Sequence, residues 1–272
     1  RIRKTYPTPQ SLASDSEENL LRLWQGCGYY ARARNLYKLA KSLGEENLPK
    51  AYDELIKLPG IGPYTAAAVA SISHGQAVAC VDGNIRRVIS RYRAEHMTDS
   101  QLHQAATDLL DHTRPGDWNQ ALMDLGAEIC TPRNPNCDIC PIEIDCIATK
   151  TKNPGNWPLR RTTKQRKVSA FALVISGEKG IVLQARKGRS LGGLWGVPFA
   201  EEEEEKKKLI RGREARKIGS LWHDFTHKKF KVTVYVSDAE ETDILHCPDS
   251  LPLSTLDRKI ITFVKDYQGE EY

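Results

Sequence analysis

The sequence predicts a protein of two domains, an all-helical domain followed by an α+β domain. Apolar residues recur with helical spacing through about residue 150, whereas the alternation typical of strands begins near residue 165. The length of 272 residues and the hydrophobic content of 40% are sufficient for two buried cores. No apolar run approaches the roughly 20 residues that a membrane-spanning helix needs, so we expect no membrane partner.

The first two predicted helices, residues 16–25 and 32–43, flank a loop of unusual composition. The loop runs from Gly26 to Arg34 and contains two glycines, two tyrosines and two arginines. In such a loop an aromatic ring could insert between DNA bases while Arg32 and Arg34 bind phosphates. A tyrosine packed under a turn beside surface arginines is the more ordinary interpretation of the loop taken alone.

A tight turn joins the next two predicted helices, residues 50–57 and 63–73. The turn contains Pro59, Gly60 and Gly62, and Pro63 suits the first turn of the second helix. The two glycines leave the N–H groups of the new helix unshielded, where a phosphate can accept hydrogen bonds. The pattern therefore predicts a helix-hairpin-helix that binds the DNA backbone.

Asp82 stands between an apolar run, Val78–Val81, and a helical pattern that starts at Ile85. One interpretation is a helix N-cap, which is the commoner use of an aspartate at this position. The other is a carboxylate that faces a developing positive charge. Spacing alone does not decide between them, and two further helices, 101–110 and 118–129, complete the helical part.

Four of the seven cysteines fall within seventeen residues, with the spacing Cys130-x6-Cys137-x2-Cys140-x5-Cys146. Clustered thiols on short turns are typical of a metal site rather than of a disulfide framework. A four-cysteine zinc site usually shows two C-x2-C pairs, and only one is present here. The spacing favours a [4Fe-4S] cluster, and the remaining cysteines are interpreted as ordinary thiols: Cys27, Cys80 and Cys247.

The second half begins with a basic segment, residues 151–167, which has six basic and no acidic residues between Lys152 and Lys167. It is either a solvated linker or a segment that meets a polyanion. Strands are predicted over residues 168–175, 181–185 and 230–236, and residues 191–199 are interpreted as a glycine-rich apolar loop or a bent strand. Residues 201–208 are interpreted as a solvated surface helix, and residues 256–264 as a closing helix capped by Ser254 or Thr255.

Taken together, these motifs resemble the adenine DNA glycosylase family, MutY, whose members carry a helix-hairpin-helix and an iron-sulfur cluster. The resemblance rests on Gly28–Asn35, Leu58–Gly62, Val81–Asn84, the four-cysteine loop and a C-terminal domain similar to Nudix hydrolases. It implies a helix-hairpin-helix glycosylase domain with its iron-sulfur loop at residues 1–150. A linker at 151–167 and a Nudix-like domain at 168–272 follow.

The resemblance implies removal of adenine mispaired with 8-oxoguanine or guanine in double-stranded DNA. It makes Asp82 the carboxylate that stabilises an oxocarbenium-like sugar, with Tyr64 and Asn84 supporting the sugar site. Bifunctional relatives such as endonuclease III carry a lysine at the position of Tyr64. Because tyrosine cannot form a Schiff base, we expect base removal without efficient strand cleavage.

The same resemblance assigns residues that contact the DNA away from the reacting sugar. Tyr29 corresponds to the family's intercalating tyrosine, inserted beside the oxidised guanine while adenine is flipped out. Gly60 and Gly62 belong to the hairpin that meets the backbone. Phe225, Thr226 and His227 resemble the Phe-Ser-His triplet that recognises 8-oxoguanine, with threonine in place of the usual serine.

Two departures from the family pattern shape the expectations. The metal-binding motif R-E-x-x-E-E of Nudix hydrolases is not found, so the second domain is expected to recognise rather than to hydrolyse. The family's Ser-Glu-x-Met-Leu-Gln-Gln-like motif, whose glutamate protonates the leaving adenine, has no match in the 272 residues. We therefore expect the chain as given to be impaired, because general acid catalysis contributes about 10² to 10⁴ in rate.

Two alternatives remain open at this stage. A thymine-mismatch glycosylase of the same superfamily can share the tyrosine, the aspartate and the cluster. A non-catalytic iron-sulfur protein that binds DNA lesions is a candidate from another class. In each case we expect a monomer, located in the cytoplasm or nucleoid of a bacterium or in the nucleus of a eukaryote.

Overall fold

A computed structural model describes residues 1–159, 165–188, 191–225 and 228–269. By its internal contacts the chain forms two units, one made of residues 1–44 together with 163–272 and the other of residues 45–162. No helix within the described ranges is both long and apolar enough to cross a membrane.

Residues 1–44 form four helices, and the two predicted helices are confirmed with shifted ends. They are α1 (Ile2–Thr5), α2 (Pro9–Ala13), α3 (Glu17–Leu23) and α4 (Tyr30–Leu43). Helix α3 starts where the Ser16 side chain accepts a hydrogen bond from the N–H of Asn19. Helix α4 ends at Gly44, whose φ of +55° is a left-handed conformation that glycine adopts without strain.

The second unit, residues 45–162, is all-helical in its described part, as the sequence predicts. Its α-helices are α5 (Tyr52–Leu55), α6 (Pro63–Ala68), α7 (Gly83–Arg93), α8 (Asp99–Asp108), α9 (Pro115–Asp124) and α10 (Ile147–Lys150). Two π-helical segments extend α6 and α9, over Val69–Ser73 and Leu125–Ile129. Short 3-10 helices occur at Cys137–Ile139 and Pro154–Asn156. The core of this unit includes Ile85, Ile89 and Leu102.

The sheet of the first unit is mixed. Its strands are β1 (Arg166–Gly177), β2 (Gly180–Val182), β3 (Gln184–Ala185), β4 (Trp195–Gly196), β5 (Phe199–Ala200), β6 (Arg216–Asp224), β7 (Lys228–Asp238) and β8 (Leu245–His246). The main sheet has the order β6-β7-β1-β2-β8, with β5 paired to β1, and a second sheet pairs β3 with β4. Strands β1 and β7 run parallel, whereas β6 and β7 form an antiparallel hairpin. The sequence did not predict β6, whose lysines and serines dilute the apolar alternation.

One face of the main sheet packs on a closing helix, α12 (Thr255–Gln268), which Ser254 caps as predicted. Their shared core includes Ala172, Val232, Val234 and Ile260. A shorter helix, α11 (Glu203–Leu209), confirms the surface helix predicted at residues 201–208. A short 3-10 helix lies at Pro248–Ser250.

Contacts group residues 1–44 with the sheet, whereas the sequence pattern grouped them with the helices that follow. Leu194 is fully buried in one cluster with Leu20 and Leu21. The Arg34 guanidinium donates to the carbonyl of Gly192 at 2.7 Å. The glycine-rich loop thus reaches α3 and α4, and Gly193 is needed there because a Cβ would lie 2.9 Å from Leu21 Cδ1.

Candidate functional site

The predicted hairpin lies between α5 and α6. Gly60 has a φ of +80°, a left-handed conformation that suits glycine, and Ile61 is buried beneath the turn. Gly62 is the N-cap of α6, Pro63 is its first residue, and the glycine provides no side chain to cap the N–H groups. At the start of α6 the backbone N–H groups therefore have no side-chain cap, and an anion can accept hydrogen bonds from them.

A buried amide ties this region to the segment before Asp82. Asn119 of α9 is 2% exposed, and its Nδ2 donates to Ser71 Oγ at 2.9 Å and to the Val78 carbonyl at 3.0 Å. Its Oδ1 accepts from the N–H of Cys80 at 3.1 Å. Asn119 thus fixes the backbone two residues before Asp82. Sequence reasoning missed it, because its partners lie about 40 residues away along the chain.

Asp82 is the N-cap of α7, and it is only partly buried. Its Oδ1 accepts from the N–H of Ile85 at 2.7 Å, so the cap interpretation is confirmed. Its Oδ2 accepts from Asn84 Nδ2 at 3.1 Å. The carboxylate is therefore held by one backbone and one amide donor at the positive end of a helix dipole, with Oδ2 less committed than Oδ1. Burial and the charge of Asp82 raise the pKa of the neighbouring Cys80 thiol to about 11.

Arg87 connects the hydrogen-bonded pair Asp82 and Asn84 to Cys130, the first of the four clustered cysteines. Its Nη2 donates to Asn84 Oδ1 at 2.8 Å and to the Gly126 carbonyl at 2.5 Å, and its Nε donates to the Cys130 carbonyl at 2.6 Å. Gly126 must be glycine, because a Cβ would lie 2.6 Å from Asn84 Cβ. Burial lowers the pKa of Arg87, while Cys130 and Asp82 act against that shift. In the sequence Arg87 is one of four arginines in the helix after Asp82, and their spacing does not distinguish it from a residue of a solvated basic face.

Tyr64 lies in the first turn of α6 and is 41% exposed. Its hydroxyl contacts Met123 Sδ at 3.5 Å. Met123 in turn packs on the core cluster that contains Ile85, and Val81 packs on the same cluster. Val81 and Ile85 are the residues on either side of the Asp82–Asn84 segment.

The four clustered cysteines line one cavity. Within the described ranges no three His, Cys, Asp or Glu side chains are close enough together to hold a single metal ion. Cysteines that surround a common cavity suit a polynuclear cluster, in which each thiolate binds a different iron atom. Burial raises the pKa of Cys140, and the neighbouring thiols add to that shift. A cationic cluster core would stabilise the thiolates that this enclosure otherwise disfavours.

Arg91 holds the cysteine loop from α7. It is 3% exposed, and its guanidinium donates to the carbonyls of Thr131 at 2.8 Å, Pro132 at 3.3 Å and Pro154 at 2.9 Å. Its Nη1 also lies 3.3 Å from Cys130 Sγ. A buried arginine satisfied by carbonyls fixes the loop and places a positive charge beside a cluster ligand.

In the other unit, Tyr29 has a backbone conformation that is rare for a residue with a side chain. Its φ of 47° and ψ of 46° are left-handed, and its ring is 70% exposed. The Arg32 guanidinium lies 5.1 Å from the centre of the ring. Tyr29 is thus exposed, whereas the neighbouring Tyr30 is buried, so each of the two tyrosines fits one of the two interpretations of the loop. Arg34 points elsewhere, since it donates to Gly192.

Phe225 closes the β6–β7 hairpin, where its N–H donates to the Lys228 carbonyl at 2.7 Å. Its ring packs edge-on against Phe230 with the ring centres 5.6 Å apart, and against His223 at 4.7 Å. Burial lowers the pKa of His223, and the charge of Lys259 lowers it further. Thr226 and His227, the other two members of the predicted triplet, lie outside the described residues.

Two family models match the segments that contain the hairpin and the four cysteines. Residues 1–112 match the HhH-GPD superfamily of base excision DNA repair proteins. Residues 130–146 match the iron-sulfur binding domain of endonuclease III. These matches show that the protein binds a [4Fe-4S] cluster, and the matched segment 130–146 contains the four cysteines predicted as its ligands.

Two relatives are similar over most of the chain. The adenine DNA glycosylase of Buchnera aphidicola is 34% identical over 239 residues, which cover 82% of this chain and 69% of the relative. The human adenine DNA glycosylase is 32% identical over 301 residues, covering 85% of this chain and 55% of the relative. The chain thus spans about half to two thirds of these relatives.

Two solved structures are similar over about half of the chain. A thermostable thymine-DNA glycosylase has a TM-score of 0.52 at 28% identity, covering 55% of this chain and 73% of that structure. A trapped endonuclease III–DNA covalent intermediate has a TM-score of 0.51 at 26% identity, covering 56% and 74%. With its cluster motif and its similarity to the curated relatives, this chain belongs to the adenine DNA glycosylase family.

Proposed function

We propose that the protein removes adenine from mispairs with 8-oxoguanine or guanine by hydrolysing the N-glycosidic bond, as a monomer acting on duplex DNA. The observation that carries the proposal is the geometry of Asp82. One of its oxygens caps α7, and the other is held by the Asn84 amide alone among the described residues. This second oxygen retains acceptor capacity for a substrate.

The chemistry follows from the charge that develops as the bond breaks. When the bond between the sugar C1′ and adenine breaks, its electrons leave with the base, and the sugar becomes oxocarbenium-like. A carboxylate beside C1′ lowers that barrier by charge complementarity, and water then adds to C1′. The departing adenine needs a proton. No residue of this chain matches the family's proton-donating glutamate, so the proposal assigns no donor.

Tyr64 supports a monofunctional reaction. It stands where bifunctional relatives carry a lysine, and its phenol cannot form a Schiff base with the sugar. Its hydroxyl contacts Met123, which packs on the same core cluster as Val81, the residue before Asp82, and this supports the assignment of Tyr64 to the sugar site. We therefore propose base removal without lyase cleavage of the strand.

The DNA contacts come from three exposed features. The hairpin at Gly60 and Gly62 binds a backbone phosphate through N–H groups. The strained, exposed Tyr29 inserts between bases, and Arg32 beside its ring binds the backbone. Residues 168–272, with Phe225 at the hairpin, are proposed as a Nudix-like module that recognises 8-oxoguanine.

A thymine-mismatch glycosylase is the second candidate. It is favoured by the similarity to the thymine-DNA glycosylase structure, at 28% identity over 55% of this chain. The adenine DNA glycosylases match 82% to 85% of the chain, and that coverage reaches into the sheet region. The longer match favours adenine as the base removed.

Single-turnover base release tests the proposal. The substrates are duplexes with adenine opposite 8-oxoguanine, adenine opposite thymine, and thymine opposite guanine. The 272-residue chain is compared with the same chain extended by the family's Ser-Glu-x-Met-Leu-Gln-Gln-like segment. We expect adenine release from the first duplex only, about 10² to 10⁴ times faster in the extended chain.

The other outcomes separate the alternatives. Release of thymine instead of adenine would identify the second candidate. No release by either chain, with tight binding to the lesion duplex, would identify a non-catalytic lesion-binding protein.

A further inference from the structure

Within the described ranges, residues cover the outer face of the main sheet at one end only. This face, opposite the one that packs on α12, bears Phe171 and Tyr235, and Lys206 of α11 covers both rings at 4.9 and 5.6 Å. Toward the β6–β7 hairpin, the described residues leave the face open. Trp222 there is 46% exposed, and Ser169 and Lys231 beside it are also exposed.

The strand register places aromatic and basic side chains together on this open part. Trp222 pairs with Lys231, which pairs with Ser169, and in the next row Lys229 pairs with Lys167. Opposite residues on paired strands share a face. We call these five residues, Lys167, Ser169, Trp222, Lys229 and Lys231, the Trp222 face.

A direct contact joins a basic group to the indole. Lys229 Nζ lies 5.6 Å from the centre of the Trp222 ring. Asp224 supplies the one carboxylate in these rows, 3.3 Å from Lys229. Three lysines against one carboxylate leave the Trp222 face with a positive charge.

An exposed indole among lysines matches the chemistry of a nucleotide strand. A base can stack on the indole, and the adjoining phosphates can pair with the ammonium groups. A sheet face with small hydroxyl side chains, such as Ser169, allows the strand to approach closely. An apolar protein partner would instead leave the lysines unpaired and desolvated.

We propose that the Trp222 face binds single-stranded DNA, with one base stacked on Trp222 and the flanking phosphates on Lys229 and Lys231. The Trp222 face belongs to the unit formed by residues 1–44 and 163–272, whereas Asp82 and Tyr64 belong to the unit formed by residues 45–162. The proposed binding requires neither adenine nor 8-oxoguanine. The proposal is therefore independent of the glycosylase activity and fails or succeeds separately from it.

The test is binding of a fluorescently labelled oligothymidine of about ten nucleotides, which contains neither adenine nor a lesion. Trp222→Ala is expected to weaken binding roughly 5- to 150-fold, the range measured when a stacking aromatic is removed. Trp222→Phe keeps a ring and is expected to retain most of the affinity. Because Trp222 is exposed, both variants keep the core intact.

Salt dependence tests the lysines. Lys231→Gln is expected to reduce the slope of log affinity against log salt by about 0.7, the value for one phosphate contact on a single strand. Lys179→Gln is the matched control, since Lys179 lies in the turn at the opposite end of β1. Equal affinity of wild type and Trp222→Ala would overturn the proposal. So would equal loss of slope in the two lysine variants.

Discussion

Two aspartates, one in each unit, lie at the starts of helices and have very different surroundings. Asp257, in the first turn of α12, is fully buried. It accepts from Arg186 at 2.5 Å, from Ser254 Oγ at 2.5 Å and from the N–H of Val197 at 3.1 Å. Asp82 is partly exposed, and no cation is paired with it among the described ion pairs.

The difference between them separates a structural carboxylate from one available for chemistry. Asp257 has its acceptor capacity taken up by a cation, a hydroxyl and a backbone N–H, so it joins α12 to the segment around Val197. In Asp82, Oδ1 accepts from the N–H of Ile85, and Oδ2 accepts from Asn84 and retains further acceptor capacity. Position at a helix N-terminus is common to both, so it is the set of partners that distinguishes their functions.

The largest expected effect comes from breaking the buried pair. Asp257→Asn leaves the Arg186 charge without its counterion, in a side chain that is 15% exposed. We expect the free energy of unfolding to fall by about 3 to 5 kcal/mol, measured by urea unfolding. Replacing both partners, Arg186→Met with Asp257→Leu, should recover much of that loss. A loss below about 1 kcal/mol in the single variant would contradict the structural interpretation.

Asp82→Asn is the matched change at the other aspartate, and it should spare stability. Asparagine caps helices as well as aspartate does, so the free energy of unfolding should change by less than about 1 kcal/mol. Adenine release in single-turnover assays should fall by about 10² to 10³, because the charge that stabilises the sugar is lost. Unchanged release would show that Asp82 is a helix cap and nothing more.

Arg87→Met tests whether the Asp82 region depends on the cluster loop. The variant loses the donors to Asn84 Oδ1, the Gly126 carbonyl and the Cys130 carbonyl. We expect the affinity for the cluster to fall roughly 10- to 100-fold. Iron content and adenine release should both fall as a result. Arg114→Met is the control, since Arg114 is an exposed arginine paired with Asp117. Normal iron content in Arg87→Met would show that the link is not needed to retain the cluster.

The smallest effect concerns a third aspartate near a helix start, Asp15, which precedes α3. Tyr6 donates to its Oδ2 at 2.6 Å, and burial together with this bond raises the pKa of Tyr6 to about 12. The folded state therefore holds the phenolic proton more tightly than the unfolded state, and stability should decline as the pH rises from about 10 to about 12. Tyr6→Phe should remove that decline and cost about 1 kcal/mol at neutral pH. Urea unfolding across this pH range measures both.

The sequence predicted the parts of the site that are local in the chain. The hairpin turn at Gly60 requires a left-handed glycine, the cap at Asp82 binds three residues ahead, and the four cysteines fall within one short loop. Each depends on spacing that the chain itself carries. Strand β6 and the boundaries of several helices escaped prediction, because tertiary packing there outweighs weak local patterns.

The sequence did not reveal which residues form contacts with partners far away along the chain. Asn119 and Arg87 look like ordinary helix residues, and only the fold brings them to Cys80 and Cys130. The association of residues 1–44 with the unit that contains the sheet likewise depends on Leu194. This residue packs in one cluster with Leu20 and Leu21, which lie more than 150 residues away along the chain.

The sequence by itself thus determined the family and the presence of the iron-sulfur cluster, and it supplied the predicted ligands and the candidate carboxylate. The tertiary structure decided which oxygen of Asp82 caps the helix, which arginine joins Asn84 to Cys130, and which face of the sheet the described residues leave exposed. The physical reason is that backbone turns, caps and metal loops form between near neighbours. Burial and hydrogen-bond partners depend instead on where distant segments meet.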